Sequence, residues 1–261
     1  MPNRGQWGAA LKPSAGRSAV VIGGTHGMGL ATARALLDRG TRVVVTGRDE
    51  ANVERAQAVL GEQALVIASD SAQVDQIDAL GGVVEARLGA VDALFVFAGV
   101  SRPERFADVT EESYDHQFAV NAKGAFFTAQ RLAPLVADGG AITFTTVAPG
   151  PSSAGMSVYA ATKAAVRAFA GVMAAELLDR RIRVNVIAPG FVDTPTLGVA
   201  GLSSDERETL LELGNRLTPW RRHGSLEEIA TAALFLAFDA TFTTGFELAV
   251  DGGISTITNP A

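Results

Sequence analysis

The sequence predicts an α/β fold, a single domain on a doubly wound parallel sheet of about seven strands with helices on both faces. Three observations lead there. Short β-branched runs alternate with segments of helical period along nearly the whole chain, the runs are continuously apolar, and no repeat or Pro/Gly-rich linker divides the 261 residues. Apolar strands separated by amphipathic helices suit a sheet covered on both faces, because right-handed crossovers put helices on each side. With 48% hydrophobic residues the chain can bury one large core.

Residues 1–17 read as a loose polar arm without the apolar stretch of a signal peptide. SAVVIG then precedes a helix over Gly27 to Arg39, TRVVVTG one over Asp49 to Leu60, and ALVIAS one over Ser71 to Leu88. VDALFVFAG leads to a helical stretch from Thr110 to Val136, and AITFTTV to a helix from Gly155 to Arg180. IRVNVIAPG follows, then a long connection from Phe191 to Thr218 with a short helical stretch, placed as a substrate lid. A last helix, Ser225 to Phe238, precedes ELAV, so the catalytic domain is expected over 18–261.

Charge and composition exclude several functions. The 22 Lys and Arg against 28 Asp and Glu give a formal −6, with no basic block to neutralise nucleic-acid phosphates or an anionic lipid surface. The longest apolar runs, such as Ala232 to Phe238, are too short to cross a bilayer, and a cytoplasmic protein is expected. With no cysteine, and with His26, His116 and His223 at no ligand spacing, no metal is expected. His116 beside Asp115 reads as a partly buried or solvent-side histidine, and Arg180-Arg181 as complementing a helix C-terminus.

Chemistry enters directly after the first strand, where Gly23-Gly24-Thr25-His26-Gly27-Met28-Gly29 opens a helix. Glycines there allow a tight turn and let backbone N–H groups approach a pyrophosphate at the positive helix end. The second strand ends Thr46-Gly47-Arg48. An NAD site usually carries a carboxylate here for the ribose hydroxyl, whereas a basic side chain suits a 2′-phosphate. Gly47 has no carboxylate, Arg48 carries a planar fork, and His26 adds a polar contact, so NADP(H) is preferred over NAD(H). Asp49 is read as the N-cap of the following helix.

Tyr159-Ala-Ala-Thr-Lys163 puts a phenol and an ammonium one turn apart on one helix face, in a chain with only two Tyr and three Lys. An ammonium beside a phenol stabilises the phenolate, bringing it toward use as a general acid or base.

Together with the glycine turn, this pair resembles the active site of the short-chain dehydrogenase/reductase family, over about Ser18 to Gly253. The resemblance implies a Rossmann-type fold and a homotetramer or dimer whose contact is the last helix and strand. It implies that Asp70 bonds the adenine, with Ser71, Ala98 and Gly99 also lining the cofactor, and that Asn121 serves a proton relay. Pro189, Gly190, Val192 and Thr194 match the nicotinamide stretch, while Pro219 to Gly224 with Arg222, and Val250 to Gly253, match C-terminal signatures. Three positions depart from the pattern. Thr146 stands where a serine is usual, thirteen residues before the tyrosine, Ile22 stands for Thr, and Phe97 for a structural Asn.

The expected chemistry is reduction of a carbonyl by NADPH. Tyr159 is the acid, Lys163 lowers its pKa and holds the ribose, Thr146 orients the oxygen, and Asn121 holds a water. Candidate substrate contacts are Ser101, Arg102, Pro149 to Ser153, Met156, Phe191 and Leu197 to Leu213, mostly small or apolar. They point to an uncharged or weakly polar small molecule. Two alternatives share these motifs. One is a 3-oxoacyl-carrier-protein reductase, although Leu132 to Gly140 lacks basic residues to meet an acidic carrier. The other is a catalytically weak, nucleotide-binding regulatory homologue.

Overall fold

The computed structural model describes residues 16–150, 153–197, 199 and 203–258. The expected arm, up to residue 15, and parts of two substrate segments, 151–152, 198 and 200–202, lie outside the described residues.

Seven strands form one parallel sheet: β1 (Ser18–Ile22), β2 (Arg42–Gly47), β3 (Ala64–Ala68), β4 (Val91–Val96), β5 (Val136–Thr145), β6 (Arg183–Pro189) and β7 (Glu247–Val250), in the order β3-β2-β1-β4-β5-β6-β7. The order reverses between β1 and β4. At such a switch point the connections leave in opposite directions, opening a crevice at the carboxyl ends of the strands.

Two layers of helix cover the sheet. One face packs against α1 (Gly27–Asp38), α2 (Glu50–Leu60) and α8 (Leu226–Leu234) through Leu36, Leu60 and Ile229. The other packs against α3 (Val74–Leu88), α5 (Gly124–Leu132) and α6 (Ser157–Glu176) through Val84, Leu132 and Val166. Because successive strand residues point to opposite faces, Ala141 joins the first core and Ile142 the second. The expected doubly wound fold is therefore the observed one.

Boundaries differ where side-chain pattern is a poor guide to backbone. The helical stretch from Thr110 is α4 (Glu111–Phe118), a π-helical turn at Ala119–Lys123, and α5, and its expected end, Val136, begins β5. The connection after β6 carries a full helix, α7 (Ser204–Leu217), started by a capping box of Ser203 and Glu206. Arg180 does not serve its own helix end. Its guanidinium donates to the carbonyl oxygens of Ala133 and Val136 and pairs with Asp138, tying α6 to the start of β5.

Candidate active site

The glycine turn is built by close approach. Gly23 has φ +73°, and a Cβ there would stand 2.6 Å from the Ala98 nitrogen, so β1 can turn against β4 only without a side chain. A Cβ on Gly29 would lie 2.3 Å from the Gly23 carbonyl oxygen, so that glycine lets α1 seat against the turn. The turn is pinned by Gly24 N donating to Thr46 O at 2.8 Å and Phe97 N donating to Ile22 O at 2.8 Å.

The crevice beside it is lined by strand ends: Ile22 to His26 without Gly24, Thr46 to Asp49, Ser69 to Ser71, and Ala98 to Val100, with Asn52 and Val120. Of the residues expected to touch a cofactor, Gly23, Thr25, His26, Arg48, Asp70, Ser71, Ala98 and Gly99 are in this wall. Met28 is not, since its side chain packs on the first core. Gly27, with φ +55°, faces Thr194 across a gap in which an added Cβ would meet nothing nearer than 3.8 Å. Pro189-Gly190 packs on the final loop, where a Cβ on Gly190 would stand 2.8 Å from Asp251 Cα, and Val192 bridges Gly224.

The end of β2 is shaped by Gly47. A Cβ there would stand 2.3 Å from Thr25 Oγ1, and Thr25 is buried, so this backbone has no room for a carboxylate at the strand end. Asp49 is the N-cap of α2, its Oδ1 accepting from Asn52 N at 2.8 Å. Arg48 lines the crevice with His26, and among the described residues no carboxylate pairs with it. His116, partly buried, is held below its usual pKa by burial first and then by Arg102 and Arg48, which sets it in the field of this same corner.

The tyrosine and lysine sit on α6, whose buried stripe Val158, Thr162, Val166, Ala170 and Ala174 repeats every fourth residue. Lys163 lies beside that stripe, 4% exposed, and its Nζ donates to the Thr145 carbonyl at 3.0 Å. It is 5.7 Å from the centre of the Tyr159 ring. Burial draws the Lys163 ammonium down to about 8 and pushes the Tyr159 phenol up to about 12. The expectation that the ammonium depresses the phenol is thus not met by the chain alone, because desolvation of the phenolate outweighs a cation over the ring.

Asn121 falls in the π-helical turn. Its Nδ2 donates to Val100 O at 2.8 Å and Thr162 Oγ1 at 3.0 Å, and its Oδ1 accepts from Val100 N at 2.7 Å. The amide therefore joins the loop after β4 to α6, and its oxygen keeps a second lone pair. That oxygen and the lysine both close on Gly99: a Cβ there would lie 3.1 Å from Lys163 Nζ and 3.4 Å from Asn121 Oδ1. Since Gly99 also lines the crevice, the helix that carries Tyr159 and Lys163 abuts it.

Thr146 is buried, and its Oγ1 donates to Glu247 Oε1 at 2.8 Å. Sequence reasoning missed Glu247, although a carboxylate opening the otherwise apolar ELAV was visible. It also missed Val120, whose only sequence signal is its place before Asn121. Among the described residues no cluster of His, Asp or Glu could hold a metal, and no helix is long and apolar enough to cross a membrane.

Comparison with known proteins settles the kinship. A family model described as "Enoyl-(Acyl carrier protein) reductase" matches residues 23–255. The chain belongs to the short-chain dehydrogenase/reductase family. It is 33% identical to the oxidoreductase asL5 of Sarocladium schorii over 95% of this chain and 100% of that one. It is 30% identical to a 3-oxoacyl-[acyl-carrier-protein] reductase of Bos taurus over 90% and 96%. A mutant of a Serratia marcescens short-chain dehydrogenase/reductase superposes with a TM-score of 0.85 at 30% identity, covering 94% of this chain and 100% of that one. The short-chain dehydrogenase/reductase is thus an oxidoreductase acting on CH–OH and C=O groups with a nicotinamide cofactor.

Proposed function

We propose that this enzyme uses NADPH to reduce the carbonyl of a small, weakly polar ketone to a secondary alcohol. The observation that carries the reading is the joint approach of Lys163 and Asn121 to Gly99, a residue in the wall of the crevice.

The residues present fit a dinucleotide. The glycine turn and α1 N-terminus would hold the pyrophosphate, Arg48 and His26 a 2′-phosphate, Asp70 and Val120 the adenine side, and Thr194 the nicotinamide side. When bound, that cofactor supplies the hydride. Tyr159, protonated far above neutral pH by its burial, gives its proton to the carbonyl oxygen as negative charge builds there. Lys163, held by Thr145, stabilises the phenolate left behind, and a water on the free lone pair of Asn121 Oδ1 would return the proton through the ammonium. Thr146 flanks the carbonyl oxygen from the strand side. The reading also includes a cytoplasmic location and assembly as a homotetramer or dimer.

A second reading, reduction of a carrier-bound 3-oxoacyl group, is favoured by the Bos taurus relative. Against it, the guanidinium of Arg180, which lies against Ala133 and Val136, is already paired with Asp138. Loss of NADPH absorbance over a panel of free ketones, a carrier-bound 3-oxoacyl thioester and an enoyl thioester tests both. Turnover confined to the thioesters would overturn the first reading, and cofactor binding without turnover on any of them would overturn both.

A further inference from the structure

A threonine hydroxyl has one proton to donate and two lone pairs. In Thr146 that proton has two acceptors within reach, Glu247 Oε1 at 2.8 Å and the Ile187 carbonyl at 3.4 Å. The carboxylate is nearer and charged, so it takes the proton. Glu247 is in turn held by Arg167, whose Nε lies 2.6 Å from Glu247 Oε2, a contact of charges in which the N–H is not aligned for a hydrogen bond. Arg167 is one helical turn beyond Lys163 on α6, and its Nη2 also donates to Val147 O at 3.4 Å. The three side chains occupy one face of the sheet. Phe144, two residues before Thr146, and Val186, paired with Glu247, both belong to the core under α6.

We propose that Glu247 is a positioning residue: with Arg167 behind it, it turns the Thr146 proton toward the sheet edge and leaves only the oxygen lone pairs of Thr146 for the substrate. This deepens the reading above and rests on it. The consequence is a division of labour at the reacting oxygen. Of these two, Tyr159 is the donor to a ketone, and Thr146 is an acceptor that a ketone cannot satisfy and an alcohol O–H can. The site therefore grips the alcohol form more firmly than the carbonyl form at this contact, which favours release of ketone over release of alcohol.

The test compares Glu247→Gln, Thr146→Val, Thr146→Ser and the pairwise combinations with Glu247→Gln, in the full chain. Steady-state constants in both directions are read with the best pair from a screen headed by cyclohexanone and cyclohexanol. Glu247→Gln is expected to raise KM for the alcohol about tenfold and to change KM for the ketone less than twofold, with kcat adjusting so that the overall equilibrium is kept. The same substitution in a Thr146→Val background should leave the alcohol KM unmoved, and in Thr146→Ser should raise it again. Independently of turnover, three-bond couplings of the Thr146 methyl should report one χ1 rotamer in the unaltered protein and averaging in Glu247→Gln. An alcohol KM shift that persists without the hydroxyl, equal shifts in both KM values, or a rotamer indifferent to Glu247 would each overturn the proposal. If no carbonyl pair turns over, the dehydrogenase reading fails by itself and the rotamer decides this one.

Discussion

Lys163 Nζ, 4% exposed, donates to the carbonyl oxygen of Thr145, the last residue of β5, at 3.0 Å. The strand end thus fixes the amine of a helix residue where burial weakens its charge. The folded value of about 8 lies below the ordinary 10.5, so the unfolded chain holds more protons between those pH values. Stability should therefore rise as pH climbs from about 8 toward 10.5. Lys163→Met should abolish that rise, read by denaturant midpoints, and a ¹⁵N-labelled Nζ should titrate near 8 in nucleotide-free protein.

The tyrosine works in the opposite sense. Its phenol, raised to about 12 from 10.0, keeps its proton in the fold where the unfolded chain has lost it, so stability should fall between those values. Tyr159→Phe should remove this alkaline loss. It should also lower carbonyl reduction by about 10²–10⁴-fold, the usual contribution of a positioned acid, while dinucleotide affinity by calorimetry changes only a few-fold. Undiminished reduction would end the assignment.

Cofactor choice rests on Arg48. Its replacement by Ala should lower the ratio of NADPH to NADH affinity by about tenfold to a hundredfold, since hydrogen bonds to charged groups contribute about 1.5–3 kcal/mol. Asp49→Ser should leave that ratio unchanged because serine also caps, whereas Asp49→Ala should cost about 1 kcal/mol of stability.

Asn121 holds the loop after β4 to α6 by three hydrogen bonds. Asn121→Ala strands the Val100 N–H and C=O and should destabilise by about 2–4 kcal/mol in urea unfolding. A smaller loss would mean that water replaces the amide.

Two glycines should behave in opposite ways. Gly23→Ala collides with the Ala98 backbone and should abolish dinucleotide binding. Gly82, within α3, has nothing within 4 Å of an added Cβ, so Gly82→Ala should stabilise by about 0.5–1 kcal/mol, read as a higher Tm.

The sequence alone determined the layered fold, the phosphate turn and the Tyr159–Lys163 pair, because each depends on local pattern: apolar period, glycine where no Cβ fits, and two side chains one turn apart. Arg48 beside Gly47 was legible for the same reason, although the cause of Gly47, contact with Thr25, was not. Only the tertiary structure decided what lies between distant segments. The direction of the Thr146 proton depends on Glu247, 101 residues away, and the Asn121 ties depend on Val100 and Thr162. The π-helical turn, which carries Asn121 between α4 and α5, has no composition of its own to announce it. The pKa directions of Tyr159 and Lys163 were also beyond the sequence: spacing brings two groups together, but burial by the rest of the chain sets how strongly each resists its charge.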